Sequence, residues 1–562
     1  MISLTQKQIE IRDTRDLDLL IVAPAGCGKT EALALRIQGL LQRGDVAAPK
    51  KILVTAFSNR ARDNIRERLK SYLDFSTIRD RVTITNFHGL AARLIRAHGN
   101  VVGLDDDLDF PESDWVDEEL HGLPQLSWHA RSDIQKVLRE IKQNPFNESK
   151  VEAELNRSGN IWALQIEQRR KKEKRLTYDD LPRLAELILD NEEVAELYAT
   201  HFGAVVVDEF QDLTPQQLRI VNKIGYKRTT YGGDLAQGIY SFAGAQPEEV
   251  YGKIRAECTN VIEFSESHRS SPAVLDTVNA LIPKTSGQKL TAANPDSWPS
   301  GGLTGKFIRD TAELEAKSIV RLARKIFTRA PEHRIGVLAR TKFRRRFVDK
   351  EFEAQTEIPH YKWEDGVFDT DTAKLIKAML AKLNLAGYTN APHKDIFLQK
   401  AVGLDSITDI DTRRSVLDAL GWVQDLLLES EPPENIRKRI KIGDSETLIT
   451  SAGVHLLSGH TGKGQQFDWV FVLGLEEGSI PSFMARNADE ITEEARVLSV
   501  MISRARHGVF LSMANRVPTR NGHDRHTDPS RFLKYIAAAK PLDDTGIIEW
   551  IEKADWPEIK NR

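Results

Sequence analysis

The chain has 562 residues, of which 40% are hydrophobic and 29% charged, and its formal net charge is −3. This length exceeds what one hydrophobic core usually serves, so we expect roughly two to four domains of an ordinary globular protein. No apolar run approaches membrane-spanning length, and the N-terminal segment MISLTQKQIE lacks the apolar core of a secretion signal. The only cysteines, Cys27 and Cys258, exclude a disulfide framework and favour a reducing, cytoplasmic location. Because the net charge is slightly negative, only local basic patches could hold a nucleic acid.

Short apolar runs typical of buried parallel strands recur along the chain, with helical stretches between them. The runs are Leu19–Ala23, Ile52–Ala56, Ala204–Val207, Ile335–Ala339, Trp469–Leu473 and Val509–Met513. This alternation predicts an α/β fold whose ligand sites lie at the carboxyl ends of the strands. One group of runs precedes about residue 270 and the other follows about residue 330, so we predict two α/β modules.

Two segments between these runs have a different character. Residues 100–200 carry long charged helical stretches, and residues 376–446 are mostly helical and polar. We interpret both as insertions into the modules. The first contains the basic run RRKKEKR at Arg169–Arg175, which is either a solvated helix face or a contact for a partner or duplex nucleic acid.

A loop of small residues follows the first apolar run and opens a helix. The loop consists of Ala23, Pro24, Ala25, Gly26, Cys27, Gly28, Lys29 and Thr30. Small residues let backbone N–H groups approach a phosphate, and the helix N-terminus adds partial positive charge. In this strand–loop–helix context we expect Lys29 to reach the β- and γ-phosphates of ATP and the Thr30 hydroxyl to ligate Mg²⁺.

A phosphate loop needs carboxylates for the metal and for activating water. The segment AVVVDEFQD places Asp208 and Glu209 at the end of a predicted strand. We assign Asp208 to the metal and Glu209 to the role of general base. Adjacent strand residues point to opposite faces, but at a frayed strand end both can turn towards one site.

The remaining motifs, in their order along the chain, resemble those of superfamily 1A DNA helicases, the UvrD/Rep/PcrA group. They are LTQKQ (Leu4–Gln8), TAFSNRA (Thr55–Ala61), TITNFHG (Thr83–Gly89), LTYDDL (Leu176–Leu181), GGDLAQGIYSFAGA (Gly232–Ala245), SHRSSPAVL (Ser267–Leu275), LLSGHTGKGQQFDWVFVLGLEEGSIP (Leu456–Pro481) and VMISRAR (Val500–Arg506). The resemblance implies two RecA-like P-loop NTPase modules, ATP and Mg²⁺ as cofactors, and DNA as the partner.

The resemblance also implies roles around the nucleotide. Gln8 would read the adenine edge, and Gln237 would position the attacking water or sense the γ-phosphate. Arg269 and Arg504, both from the second module, would neutralise charge on the transferring phosphoryl group.

Some nucleotide contacts depart from the family pattern. Glu31 and His268 stand where the family usually places an Arg and a Tyr that sandwich the adenine, and Gln466 replaces the usual Glu near the sugar. A carboxylate cannot make the cation–π contact. We therefore expect looser base selectivity but intact hydrolysis.

The family's strand-contacting motifs imply a path for single-stranded DNA, which binds through stacking and backbone contacts. The implied contacts are Phe57, Asn59, Thr85, His88, Tyr240, Phe242, Ser458 and His460. Relatives move 3′ to 5′, so the resemblance implies this polarity. Ala243 stands where relatives often carry an Arg, which weakens one expected contact.

We predict the following parts of the chain: residues 1–98 with 191–268 as the first module, 99–190 as a helical insertion, 269–375 with 447–540 as the second module, 376–446 as a reduced accessory insertion, and 541–562 as a tail. Because its accessory insertion is short, the chain is compact, and in this compactness it resembles GajB. GajB is the helicase-like subunit of Gabija antiphage systems and acts beside an OLD-family nuclease. Two functions follow: a DNA translocase or helicase in repair, recombination or antiphage defence, or a regulatory ATPase subunit that controls a partner nuclease.

The tail has an apolar stripe. In GIIEWIEKADWPEIKNR (Gly546–Arg562), Ile547, Trp550 and Ile551 have the i, i+3, i+4 spacing of one helix face. This face either docks on the second module or binds a partner.

Overall fold

We describe a computed structural model of the chain. The structure describes residues 4–56, 59–105, 107–111, 115–121, 123, 126–241, 244–355, 357–362, 367–368, 370–404, 410–428, 431–442, 450–459, 463–519 and 523–562. Within these ranges no helix is both long and apolar enough to cross a membrane. The chain forms two compact units: unit 1 is Met1–Arg269 with Ile282–Ala293, and unit 2 is Ser270–Leu281 with Asn294–Arg562.

The secondary structure alternates between strands and helices. The strands are β1 (Leu19–Val22), β2 (Lys51–Ala56), β3 (Val82–Asn86), β4 (Phe202–Asp208), β5 (Thr229–Gly233), β6 (Asn260–Glu263), β7 (Glu266–Ser267), β8 (Thr291–Ala292), β9 (Leu303–Thr311), β10 (Arg334–Ala339), β11 (His360–Lys362), β12 (Val367–Phe368), β13 (Lys441–Ile442), β14 (Gly453–Ser458), β15 (Phe467–Val472), β16 (Ala505–Pro518) and β17 (Asp524–His526). The helices are α1 (Gln6–Asp13), α2 (Lys29–Gln42), α3 (Asn59–Leu69), α4 (Phe75–Arg81), α5 (Phe87–His98), α6 (Trp115–His121), α7 (Trp128–Lys142), α8 (Glu148–Ser158), α9 (Ile161–Lys172), α10 (Asp180–Ile188), α11 (Glu192–His201), α12 (Pro215–Gly225), α13 (Pro247–Glu257), α14 (Pro272–Asn279), α15 (Ile282–Thr285), α16 (Ala312–Arg329), α17 (Lys342–Glu353), α18 (Thr370–Ala381), α19 (Leu385–Asn390), α20 (Lys394–Val402), α21 (Ile410–Leu428), α22 (Pro433–Arg439), α23 (Ala488–Ile502), α24 (Leu533–Ile536), α25 (Asp544–Lys553) and α26 (Trp556–Asn561).

Unit 1 is built on a six-stranded parallel sheet with the order β3-β2-β4-β5-β1-β6. β1 and β4 are buried along their whole length because both of their faces are covered, as expected of parallel strands. β1 lies between β5 and β6, and β4 lies between β2 and β5. The loops after β1, β4 and β5 therefore leave the same edge of the sheet.

The segment that the sequence predicts as a helical insertion of unit 1 has its own small core and a buried ionic network. Lys142 Nζ lies 2.8 Å from Glu167 and 2.9 Å from Asp180, and Arg183 Nη2 lies 2.8 Å from Asp180. These side chains are almost completely buried. The network therefore joins α7 and α9 to α10 through charge pairs rather than through apolar packing alone.

The basic run in this insertion is largely paired with carboxylates. Arg169 contacts Glu119 and Glu173, Lys171 contacts Glu152, and Lys174 contacts Asp105 and Asp107; Arg170 and Arg175 also form ion pairs. Nearby carboxylates therefore neutralise much of the charge of RRKKEKR, and the choice between a solvated helix face and a contact for a partner or duplex nucleic acid stays a prediction.

Unit 2 contains a seven-stranded sheet with the order β11-β14-β10-β15-β16-β17, in which β9 also pairs with β16. Among the strand pairs that the structure describes in this sheet, β16–β17 is the antiparallel one and the others are parallel. The predicted α/β fold is therefore confirmed, and each predicted apolar run lies on or directly beside a strand of one of the two sheets.

A second helical segment of unit 2 surrounds a separate core. Apolar residues of α18, α20, α21 and α22 form this core, including Ile376, Leu398, Val423 and Ile436, all fully buried. β12 and β13 pair in parallel beside it. The segment lies where the sequence predicts the reduced accessory insertion, and its assignment to that role stays a prediction.

The C-terminal tail packs on unit 2 itself. Ile547, Ile551 and Ile559 are buried in the same core as Trp469 of β15. The ring of Trp556 lies 5.6 Å from that of Trp469 between centroids. The structure therefore shows internal docking, the first of the two interpretations of the tail.

The structure groups two segments differently from the predicted boundaries. Arg269 belongs to unit 1, as does Ile282–Ala293, although the sequence prediction placed both in the second module. The reason is local: β7 pairs with β8, which draws the chain after α14 back to unit 1.

Candidate functional site

The phosphate-binding loop links β1 to α2 in unit 1. Gly26 and Gly28 have φ angles of +84° and +82°, which L-residues with side chains rarely adopt. Gly28 is the N-cap of α2 and carries no capping side chain, so the first N–H groups of the helix stay available to an anion. Ala23 N donates to Gly233 O at 2.9 Å, which fixes the start of the loop to the end of β5.

Three predicted nucleotide-site residues surround this loop. A Cβ atom on Gly26 would lie 2.6 Å from the Cβ of Arg269, and one on Gly28 would lie 3.1 Å from Gln8 Nε2. His268 N donates to Gly26 O at 3.0 Å, while its side chain is exposed. The absence of side chains on these glycines thus lets Gln8, His268 and Arg269 approach the loop.

Lys29 and the two predicted carboxylates form one ionic cluster. Lys29 Nζ lies 2.8 Å from Asp208 Oδ1 and 2.5 Å from Glu209 Oε1. Burial raises the pKa of Asp208, although Lys29 opposes this effect. Burial acts to lower the pKa of Lys29, but the two carboxylates outweigh it and raise that pKa. The structure therefore brings together the residues that the sequence assigns to phosphate, metal and water.

The backbone explains how two adjacent carboxylates reach the same lysine. Asp208 is the last residue of β4, and Glu209 has a left-handed backbone with φ +62°. This conformation is costly for a residue with a side chain, and such strain is concentrated at functional sites. A specific turn, rather than the predicted fraying of the strand, directs both side chains to one side.

The donor groups here fit ATP with Mg²⁺. Thr30 and Asp208 offer hydroxyl and carboxylate oxygens, the ligand type that Mg²⁺ prefers. Arg269 Nη1 is buried and has no hydrogen-bond partner among the residues that the structure describes, so it is a ready donor for an anionic ligand. The Nε2 of Gln237 donates to Asp234 Oδ2 at 2.9 Å.

Glu31 has a partner that the sequence did not reveal. Arg68, from the last turn of α3, lies 3.0 Å from Glu31 Oε2. A cation therefore stands beside the position where the family pattern has its own arginine. A contact between separate helices is invisible to motif comparison, which is why the sequence analysis missed it.

Several predicted DNA contacts of unit 1 lie near the carboxyl ends of its strands. Thr85 is buried at the end of β3, His88 is exposed in the first turn of α5, and Tyr240 is half-buried after β5. The ring of Tyr178, 39% exposed, packs edge-on against His88 with centroids 5.4 Å apart. The sequence analysis did not single out Tyr178, which the structure places beside the predicted DNA contact His88.

Other predicted contacts lie outside what the structure describes: Phe57, Phe242, His460, the neighbouring Ala243 and the side chain of Asn59. Their assignments stay predictions.

Three predicted residues belong to unit 2. Ser458 is half-buried at the end of β14, and Gln466 is exposed just before β15. Arg504 is buried after α23, where its Nε donates to Val500 O and its Nη2 donates to Ser503 Oγ, both at 3.0 Å. This geometry does not test whether these residues bind nucleotide or DNA, so their assignments stay predictions.

Comparison with known proteins assigns the chain to a family. Residues 4–255 match the UvrD/REP helicase N-terminal domain, and residues 427–516 match the UvrD-like helicase C-terminal domain. Together these matches cover more than half of the chain.

Curated relatives align over nearly the whole chain. The ATP-dependent DNA helicase UvrD2 of Mycobacterium tuberculosis (strain H37Rv) is 27% identical, over 93% of this chain and 80% of the relative. The ATP-dependent DNA helicase PcrA of Staphylococcus aureus (strain NCTC 8325) is 24% identical, over 94% and 86%. These matches do not confirm the resemblance to GajB. With the phosphate loop, the carboxylate pair and both family domains in place, the chain belongs to the UvrD-like helicase family.

Proposed function

We propose that this protein is a DNA-stimulated ATPase that moves 3′ to 5′ along single-stranded DNA and separates duplexes. The observation that carries the proposal is the ionic cluster of Lys29, Asp208 and Glu209. It lies at the N-terminus of α2, which has no capping side chain. Membership of the helicase family and the names of the relatives supply the DNA substrate and the use of ATP.

The cluster suggests how the residues act. With ATP bound, Lys29 would leave the two carboxylates and pair with the β- and γ-phosphate oxygens, and Asp208 and Thr30 would hold Mg²⁺. Mg²⁺, when bound, neutralises charge on the phosphates. Glu209 then takes a proton from the attacking water, and Arg269 stabilises charge on the transferring group.

The DNA contacts proposed for unit 1 start from aromatic rings that are exposed or half-buried. Tyr240, His88 and Tyr178 offer ring faces or edges near the ends of β3 and β5. Stacking on such rings tolerates any base, as a translocating enzyme requires.

The test measures ATP turnover with and without single-stranded DNA, and strand displacement on duplexes with a 3′ or a 5′ tail. We expect DNA to raise turnover and only the 3′-tailed duplex to be separated. Lys29→Ala should abolish both activities, whereas Lys253→Ala, which removes an exposed lysine paired with Glu249, should change neither. A wild-type chain without DNA-stimulated turnover would contradict the proposal.

One observation favours a second function, the regulatory ATPase subunit. The helical segment 370–442 is closed around its own core, and it lies where the sequence predicts a reduced accessory insertion. Under this alternative, DNA-stimulated turnover stays but strand displacement is absent until a nuclease partner is added. Strand displacement by the isolated chain would exclude it.

A further inference from the structure

A buried glutamine connects the proposed general base to the loop after β5. Gln211 is 0% exposed and lies in the short turn Phe210–Asp212. Its Nε2 donates to Glu209 Oε2, and its Oε1 accepts a hydrogen bond from Asp234 N at 3.0 Å. Because a backbone N–H can only donate, this second bond fixes the orientation of the amide.

The chain of hydrogen bonds continues beyond Asp234. Its Oδ1 accepts from Ala236 N at 3.0 Å, and its Oδ2 accepts from Gln237 Nε2 at 2.9 Å. The loop then leads to Tyr240, a proposed DNA contact. The carboxylate of Glu209 is thus joined through Gln211 to the loop that carries Gln237.

The local backbone is shaped for this contact. A Cβ atom on Gly233 would overlap Gln211 Oε1 and lie 2.5 Å from the ring of Phe210. Any residue other than glycine would push the amide away from Asp234. The carbonyl of Gly233 also accepts from Ala23 N, so the same residue holds the start of the phosphate loop.

The two oxygens of Glu209 have different partners. Oε1 pairs with Lys29 and Oε2 accepts from Gln211. When Lys29 turns to a phosphate, the contact with Gln211 continues to hold the carboxylate. We propose that Gln211 is the positioning residue that keeps Glu209 oriented towards the attacking water and couples that orientation to the Asp234–Gln237 loop. This inference rests on the proposed function.

The test compares Gln211→Leu and Gln211→Glu with the control Gln216→Leu. Gln216 is also a buried glutamine, but its Nε2 donates to Lys142 O and Glu186 instead of Glu209. Gln211→Glu keeps the length, nearly the same volume and the acceptor for Asp234 N, but it replaces the donor to Glu209 with a second carboxylate that repels it.

We expect both Gln211 variants to lose about tenfold or more of the DNA-stimulated kcat with the KM for ATP nearly unchanged, because orientation rather than binding is affected. Gln216→Leu should lose thermal stability without this loss of kcat. In a Glu209→Gln background, Gln211→Leu should lower single-turnover hydrolysis less than about twofold, since the two residues act as a unit.

Two results overturn the inference in different ways. If the wild type is active and both Gln211 variants keep its kcat, the positioning role is wrong and the proposed function still stands. A wild type that lacks DNA-stimulated hydrolysis overturns the proposed function, and the role of Gln211 with it.

Discussion

At the scale of single residues, the roles proposed for Lys29 and Glu209 predict different effects of their substitution. Lys29→Ala removes the cation that faces the phosphates, so we expect weaker ATP binding as well as lost turnover. Glu209→Gln keeps the shape and the contact with Lys29 but removes the base, so kcat should fall about 100-fold or more while ATP and DNA stay tightly bound. Nucleotide affinity and turnover measured on both variants check this, and near-normal DNA-stimulated turnover in Glu209→Gln would refute the role of Glu209.

Base selectivity is a second property set by single residues. Glu31 pairs with Arg68 instead of stacking on a base, and His268 is exposed, so we expect GTP or CTP to support hydrolysis within about tenfold of ATP. A tenfold preference corresponds to about 1.4 kcal/mol, which one or two hydrogen bonds from Gln8 to the base would provide.

Competition between nucleotides measures this preference, and Gln8→Ala should remove what remains of it. Thr5→Ala is the matched control, because Thr5 and Gln8 form the capping box of α1. A strong preference for ATP that survives Gln8→Ala would show that the selectivity lies elsewhere.

The candidate site was predictable where its charged residues follow an apolar strand in the sequence. Lys29, Asp208 and Glu209 each follow an apolar strand in sequence, so their meeting at one sheet edge could be expected. The left-handed turn at Glu209, the pair Glu31–Arg68 and the bridge through Gln211 depend on side chains meeting across elements. No spacing along the chain encodes those contacts.

At the scale of elements, the buried ionic network of the first insertion is a stability determinant. Asp180 is 0% exposed and contacts Lys142 and Arg183. Asp180→Asn leaves buried cations without a full partner, so we expect the free energy of unfolding to fall by about 3–5 kcal/mol. Denaturant unfolding measures it. Asp107→Asn, at an exposed ion pair with Lys174, should leave the unfolding midpoint unchanged.

The same network sets a pH dependence. Burial would raise the pKa of Asp180, but its basic neighbours outweigh this and hold it well below the usual value. A lowered folded-state pKa contributes stability above the unfolded value of about 4 and loses it as the pH falls towards the folded value. The difference in stability between wild type and Asp180→Asn should therefore persist at neutral pH and shrink only below about pH 4. A difference that disappears between pH 7 and pH 5 would contradict the assignment.

The tail is the second element with a measurable contribution. Ile551 is fully buried against the sheet of unit 2, and Lys553 is exposed. Truncation after Asp544 should lower the thermal midpoint of the chain, and Ile551→Ala alone should cost about 2–5 kcal/mol. Lys553→Ala is the control and should change little. A truncated chain as stable as the full-length protein would contradict the internal docking.

At the scale of the whole molecule, the apolar runs predicted that there are two sheets but marked only six of the thirteen strands described in them. Each apolar run lies on or beside a strand because parallel strands buried on both faces need uninterrupted apolar residues, as in Val205–Val207 and Val470–Val472. The boundary between the units was less predictable. The β7–β8 pair returns Ile282–Ala293 to unit 1. Each of these strands has only two residues, which is too short to show an apolar pattern in the sequence.

The central claim is that ATP hydrolysis at the Lys29–Asp208–Glu209 cluster drives movement along single-stranded DNA. Displacement of streptavidin from the ends of biotinylated single-stranded oligonucleotides measures this movement without requiring duplex separation. We predict ATP-dependent release from the 5′ end, slow or no release from the 3′ end, and no release by Glu209→Gln. Release that needs no ATP, release from the 3′ end alone, or DNA-stimulated hydrolysis without release from either end would contradict the claim.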